Sequence, residues 1–205
     1  MSEFWFYILW ISSAYLWGSI SAGDFVARLS NVNIRELGTG NPGTANIYRE
    51  MGPKYGITVF LLDITKGATV TVPLFFLEVP GWVVISAVLT LLAGQIFPVF
   101  YRFRGNTGMA ACMGTTAGLL PFGALVGIPI TFVAIRLTRN TGWCGLLFFA
   151  ITILAGSLLH RDFVAALAIL LGGSVVFVRS LIQYNIIRSI RRIVENRINS
   201  RNQST

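Results

Sequence analysis

The chain has 205 residues, of which 54% are hydrophobic and 12% are charged. Soluble domains carry roughly 25% charged residues, so this composition excludes an ordinary soluble globular protein and indicates a helical membrane protein. The formal net charge of +8 is explained by basic residues on the cytoplasmic side of a membrane protein, and it does not require nucleic acid binding.

Apolar segments recur along the whole chain. They cover residues 4–22, 55–77, 81–100, 107–120, 122–138, 142–158 and 162–182. A membrane-spanning helix needs about 20 apolar residues. The fourth segment is shorter and rich in glycine and alanine, so we expect it to pack inside the bundle. The sequence predicts an all-α, polytopic membrane protein, a bundle of seven transmembrane helices.

The distribution of basic residues predicts the orientation of these helices. All but two of the 16 basic residues end or follow the first, third, fifth or seventh segment. The exceptions are Arg161 and Lys66. Because basic loops stay in the cytoplasm, we expect the N-terminus outside and the C-terminus in the cytoplasm. Residues 1–184 form the predicted transmembrane domain, and residues 185–205 a basic amphipathic tail on the inner leaflet.

Two glycine-rich polar loops separate the predicted helices. The first glycine loop covers residues 38–46 and is followed by Arg49, and the second glycine loop covers residues 105–108. Glycines allow backbone N–H groups to converge into a concave anion-binding nest. A predicted helix over residues 44–51 would add its N-terminal N–H groups. These features indicate a phosphorylated substrate, either converted or transported.

Asp63 and Lys66 are three residues apart in the second apolar segment, so they share one helix face. An ionisable residue at the bilayer centre costs at least about 2.5 kcal/mol, and the pair must therefore face the bundle interior. Two interpretations stay open, a neutralised structural ion pair and a pair that lines a polar pocket. No nucleophile with a partner base and no metal-ligand cluster is evident, so an enzyme would work by orienting reactive substrates.

Five short motifs occur in order over nearly the whole chain. They are Gly18-Ser19-Ile20 with Gly23, Ala27 and Arg28; the first glycine loop with Arg49; Asp63, Lys66 and Gly67; Phe97-Pro98-Val99-Phe100; and Asn185-Ile186 with Arg188. They resemble the PlsY family motifs GSIPxGxxxA[RK], GSGNxGATNxxR, DxxKG, GHxFPVFxxFxGGKG and RHxxNIxR. This family comprises bacterial membrane glycerol-3-phosphate acyltransferases that use acyl-phosphate as donor.

The resemblance implies a multi-pass protein of the bacterial inner membrane, with an active site toward the cytoplasm. It implies lysophosphatidic acid as product, the lipid bilayer as surroundings, and no cofactor or metal; a monomer is compatible with it. The donor's own phosphate accepts the proton, so no catalytic protein base is expected. The implied phosphate-binding residues are Gly38, Thr39, Gly40, Asn41, Asn46, Arg49 and Asn185. The implied pocket wall comprises Asp63, Lys66, Gly105, Asn106, Thr107 and Gly108.

The chain departs from the family motifs where charge matters. Thr107 replaces the lysine of GGKG, Gln95 the histidine of GH, and Leu181-Ile182 the RH pair. Losing a charged hydrogen bond to phosphate costs roughly 1.5–3 kcal/mol, unless Lys66, Arg102 or Arg104 takes over. A catalytically weak or inactive paralogue with a binding or regulatory role is therefore the alternative. A channel or transporter is a third hypothesis, which the lack of a second copy of the glycine loop disfavours.

Overall fold

The computed structural model describes residues 2–138, 141–160 and 163–202, and these ranges contain helices but no strand. The helices are α1 (Ser2–Gly18), α2 (Ala22–Leu29), α3 (Thr44–Met51), α4 (Pro53–Phe76), α5 (Gly81–Ile96), α6 (Met109–Leu119), α7 (Pro121–Thr138), α8 (Thr141–His160) and α9 (Phe163–Asn202). Short 3-10 turns cover Ile34–Glu36 and Val99–Tyr101. The predicted all-α class is confirmed, and so is the predicted short helix over residues 44–51.

The first helix is shorter than the predicted apolar segment 4–22, whose last residue already belongs to a second helix. Helix α1 ends at Gly18, and α2 begins at Ala22. Ser21 caps α2, since its hydroxyl accepts a hydrogen bond of 3.3 Å from the backbone N–H of Asp24, a common way to start a helix. The break directs α2 away from α1 and toward the first glycine loop.

Several helices match a protein that crosses a membrane more than once. In the described residues, three stretches are long and apolar enough to cross by themselves: Pro53–Phe76, Gly81–Tyr101 and Phe163–Ile186. Shorter apolar helices cover Met109–Leu119, Pro121–Thr131 and Trp143–Gly156. Large apolar side chains face outward on most of these helices, among them Leu61, Phe76, Leu125, Leu154 and Leu170. Such a surface suits lipid.

Helix α5 lies at the centre of the main hydrophobic core. Val83, Ala87, Val88, Leu91 and Leu92 have no exposed surface at all. Around them pack apolar residues of α4, α6, α8 and α9. Eight of the 11 residues of α6 are buried, which confirms that this short helix packs inside the bundle.

Small residues let the helices cross with their backbones in contact. A Cβ atom on Gly67 of α4 would lie 2.2 Å from the carbonyl oxygen of Ala111 on α6. In return, a Cβ atom on Gly114 of α6 would lie 2.1 Å from the carbonyl oxygen of Ile64. No side chain fits at these positions, so glycine is required for α4 and α6 to pack.

The C-terminal residues continue α9, which extends from Phe163 to Asn202 without a break. The predicted boundary at residue 185 therefore falls inside this helix. Most side chains on which the amphipathic prediction rests lie outside the described part of the chain, as do residues 203–205.

We predict that Gly67→Ala destabilises the protein by about 1–3 kcal/mol, because the new methyl group forces α4 and α6 apart. The control is Gly173→Ala on α9, where the nearest heavy atom to the new Cβ, Cδ2 of Phe149, is 3.4 Å away. Thermal unfolding of both variants in detergent checks this. Equal midpoints for the two would contradict the close crossing.

Candidate active site

The two glycine loops and α9 meet at one end of the bundle. A Cβ atom on Gly43 would lie 3.6 Å from Cβ of Asn106, so the two loops lie next to each other. Asn41 Nδ2 donates a hydrogen bond of 3.2 Å to Oε1 of Gln183 on α9. Segments far apart in the sequence thus form one polar region.

The first glycine loop is folded around the buried side chain of Asn46. The Oδ1 atom of Asn46 accepts a hydrogen bond of 2.9 Å from the backbone N–H of Thr39, and its Nδ2 donates one of 3.1 Å to the carbonyl of Leu37. Gly38 and Gly40 have φ values of +55° and +67°, a left-handed conformation that favours glycine. The loop therefore exposes a curved backbone, and Asn46 maintains that shape.

The backbone of this loop packs on helix α2. A Cβ atom on Gly23 would lie 1.7 Å from the carbonyl oxygen of Pro42, so the loop backbone rests directly on the helix. Glycine is the one residue that allows this approach. The family motif that contains Gly23 therefore has a physical purpose, the seating of the first glycine loop.

A buried polar network connects α4 and α5 beneath the loops. Lys66 Nζ donates to Asp63 Oδ1 at 2.9 Å and to Gln95 Oε1 at 3.4 Å, and it also donates to the carbonyl of Ile20. Gln95 Nε2 donates to Asp63 Oδ1 at 3.0 Å. An ammonium group has three donors, and here three protein oxygens accept from it. This arrangement matches the structural interpretation of the Asp63–Lys66 pair.

The second glycine loop is attached to the same network. Asn106 Nδ2 donates to Asp63 Oδ2 at 3.4 Å, and its Oδ1 accepts from the backbone N–H of Gly108 at 2.8 Å. Gly108 has φ of +77°, and a Cβ atom on it would lie 3.6 Å from Cγ2 of Val176 on α9. Asn106 therefore both shapes the loop and connects it to the buried carboxylate.

An ion pair joins α2 to the turn that precedes the first glycine loop. Both carboxylate oxygens of Asp24 accept from Arg35, from Nε and from Nη2, at 2.7 Å each. The guanidinium carbons of Arg35 and Arg28 lie 5.6 Å and 5.5 Å from the ring centre of Tyr101. Asp24, Arg28 and Arg35 border a cavity of about 400 Å³ between α2 and the turn Ile34–Glu36. Asp24, an unusual residue for its motif, thus anchors the start of the first loop.

The predicted site residues differ in their surroundings. Asp63, Lys66 and Asn106 are joined directly by hydrogen bonds. Thr39, Gly40, Asn41, Gly105 and Thr107 are half-buried, whereas Gly38, Arg49 and Asn185 are exposed. Among the residues the structure describes, neither Arg49 nor Asn185 forms a hydrogen bond with another predicted site residue.

Sequence reasoning missed two members of this region. Gln95, noted there as the replacement of a histidine, bridges Asp63 and Lys66. Gln183 joins α9 to the first loop. A long polar side chain inside an apolar segment is a signal for Gln95, because such a group needs buried partners. Gln183 stands at the end of its segment and gives no comparable signal.

The chain matches the family model described as glycerol-3-phosphate acyltransferase over residues 8–196. The glycerol-3-phosphate acyltransferase of Halalkalibacterium halodurans is 30% identical over 203 residues, which cover 96% of this chain and 98% of the relative. That of Aquifex aeolicus is 39% identical over 115 residues, 55% of this chain and 59% of the relative.

Two solved structures share the fold. One is the crystal structure of PlsY (YgiH), an integral membrane glycerol 3-phosphate acyltransferase, in its glycerol 3-phosphate form, with a TM-score of 0.80 and 26% identity. The other is its lysophosphatidic acid form, with a TM-score of 0.78 and 25% identity. Each similarity covers 90% of this chain and 93% of the solved one. Because the family model and a relative matched over nearly its full length agree with this fold, the chain belongs to the glycerol-3-phosphate acyltransferase family.

Proposed function

We propose that this protein is a membrane enzyme that transfers an acyl group from acyl-phosphate to sn-glycerol-3-phosphate, giving lysophosphatidic acid for phospholipid synthesis. Family membership supports the acceptor, and the motif set supports the donor. The observation that carries the proposal is the contact between the first glycine loop, the second loop and α9. This contact gathers the motif residues of distant segments at one end of a fold that solved PlsY structures share.

The first glycine loop forms the proposed phosphate site. The left-handed Gly38 and Gly40 curve the loop backbone, as in an anion-binding nest. Because the N–H groups of Thr39 and Gly40 already bond to Asn46 Oδ1 and to the Leu37 carbonyl, the proposed nest uses the other N–H groups of the loop. Thr39 and Asn41 add neutral hydrogen bonds. Because Asn46 already bonds to the loop backbone, its role in this proposal is to hold the nest in shape.

Two exposed side chains complete the phosphate site. Arg49 follows the loop on α3, and its planar guanidinium suits two phosphate oxygens at once. The family motif assigns Asn185 of α9 to the same site. Both are exposed, so both are free to bind an incoming substrate.

The reaction needs no protein nucleophile. The 1-hydroxyl oxygen of glycerol-3-phosphate forms a bond to the acyl carbonyl carbon, and the bond from that carbon to the phosphate oxygen breaks. The departing phosphate takes the hydroxyl proton, so lysophosphatidic acid and inorganic phosphate are the products. The protein contributes by holding both phosphates in place, which makes the attack effectively intramolecular.

The second loop and the ion pair form the proposed pocket wall, with Gly105, Asn106, Thr107 and Gly108 above Asp63 and Lys66. Gln95 supports an intact site, since it donates to Asp63 and accepts from Lys66 where the motif has a histidine. The missing histidine leaves no buried charge unpaired. We therefore do not favour the inactive paralogue.

The proposed topology has seven crossings, with the N-terminus outside and the C-terminus in the cytoplasm of a bacterium. Residues 1–184 form the membrane bundle, and residues 185–205 form a basic tail at the inner leaflet, where each basic residue adds about 1 kcal/mol of attraction to anionic lipid. The glycine loops and α9 meet at one end of the bundle, and the flanking segments are basic. That combination supports a site open to the cytoplasm.

We expect purified, detergent-solubilised protein to make lysophosphatidic acid from palmitoyl-phosphate and labelled glycerol-3-phosphate. In Arg49→Ala, kcat/KM should fall roughly 10- to 100-fold, because a charged hydrogen bond to phosphate is lost. The control is Lys54→Ala, which removes another exposed cation, the second residue of α4, and it should retain activity. Absence of product from folded wild-type protein, assayed beside an active relative, would overturn the proposed function.

We expect Gln95→Leu to lower stability by about 1–3 kcal/mol, because Asp63 and Lys66 each lose a buried partner. Gln95→His should retain most of the stability and activity, since an imidazole can bond to the same carboxylate. Thermal unfolding and acyl transfer are measured for both variants. A Leu variant as stable as the His variant would show that Gln95 does not hold the network together.

A further inference from the structure

The proposed phosphate site lacks two cations that are present in the family motifs. Thr107 stands at the position of the motif lysine, and Leu181 at that of the arginine in the RH pair of the tail motif. Both proposed substrates carry an anionic phosphate, which charge-assisted hydrogen bonds recognise best. Another cation of this chain is therefore expected near the loops.

Most nearby cations are already paired within the protein or have no described contact with the first loop or α9. The three donors of Lys66 bond to Asp63, Gln95 and Ile20, and Arg35 is paired with Asp24. Arg102 and Arg104 are exposed, and neither has a described contact to the first loop or to α9. They are the two cations adjoining the second loop in the sequence, and the structure gives no reason to prefer them.

Arg179 lies on the face of α9 that contacts both loops. It is three residues after Val176, which lies close to Gly108, and four residues before Gln183, which bonds to Asn41. Residues at these spacings are neighbours on one helix face. The guanidinium carbon of Arg179 is 6.0 Å from the ring centre of Phe97, where α5 leads into the second loop.

The guanidinium of Arg179 has hydrogen-bonding capacity that the protein does not use. Its Nε atom is shielded from solvent and donates no hydrogen bond within the described chain. Two oxygens of the first loop, Asn41 Oδ1 and Thr44 Oγ1, are also buried and have no hydrogen-bond partner within the described chain. Buried polar atoms are nearly always hydrogen-bonded in folded proteins. On these facing segments, Arg179 Nε and the Thr44 hydroxyl can donate to a phosphate, and Asn41 Oδ1 can accept from a hydroxyl group of the glycerol.

We propose that Arg179 is a phosphate-binding residue, which supplies the positive charge that the motif lysine supplies in the family pattern. This inference rests on the proposed function. Arg179 reaches the ligand from α9, opposite the first glycine loop, so the phosphate is held between the two. The ligand chemistry is a phosphate monoester or an acyl phosphate, and the kinetics distinguish the two.

The test compares Arg179→Gln and Arg179→Met with wild-type protein, with palmitoyl-phosphate and glycerol-3-phosphate varied in turn. The Met variant keeps an apolar stem against Phe97. We expect kcat/KM to fall roughly 10- to 100-fold, with a raised KM for the one substrate whose phosphate contacts Arg179. Adding Thr107→Lys to the Gln variant should restore most of the loss. Arg136→Gln, which removes an exposed cation at the end of α7, should leave both KM values unchanged.

Three results would overturn the assignment. They are activity of both single variants within about twofold of wild type, a loss that Thr107→Lys does not restore, and failure of both variants to fold, which would make Arg179 a structural residue. Inactive wild-type protein would instead count against the proposed function. Rescue of Arg179→Gln by Thr107→Lys is not expected from a purely structural arginine, because residue 107 lies on another segment.

Discussion

A buried ion pair between Asp63 and Lys66 holds the polar end of this helical bundle together. The two side chains are 2% and 6% exposed, inside a helix that is long and apolar enough to cross a membrane. An isolated charge inside a membrane-spanning helix is unfavourable in free energy, and removing one partner of a buried pair leaves the other as an unpaired buried charge. Gln95, Asn106 and the carbonyl of Ile20 supply the remaining hydrogen bonds. The pair therefore needs all four segments in their native positions: α4, α5, the second glycine loop and the residues between α1 and α2.

That requirement extends from the core to the loops. Asn106 connects the ion pair to the second glycine loop, and this loop lies next to the first one at Gly43. The first loop is in turn seated on α2 and anchored by the Asp24–Arg35 pair. The loops carry few apolar contacts of their own, so their shape depends on these polar connections. A rigid nest is what a phosphate site needs, because its N–H groups must converge before the ligand arrives.

The polar groups of this region fall into two sets with different roles. Asp63, Lys66 and Asn46 have their hydrogen-bonding groups occupied by protein atoms, which suits groups that maintain a structure. Asn41 and Arg179 keep buried atoms that no protein group engages, which suits groups that meet a ligand. Two departures from the family motifs fit this division. Gln95 belongs to the structural set, since it bonds to Asp63 and Lys66, and Arg179 is the cation proposed to replace the lysine at position 107.

Local patterns in the sequence determined much of this protein. Apolar runs and small residues predicted the helical class and the buried α6, since both depend on the chain within one helix. Ordered motifs indicated the family and its glycine loops. Tertiary structure alone decided that the first apolar segment breaks after Gly18, that Gln95 bridges the ion pair and that Arg179 faces the loops. These features depend on contacts between residues dozens of positions apart, and neither hydropathy nor motif spacing encodes which helix faces meet.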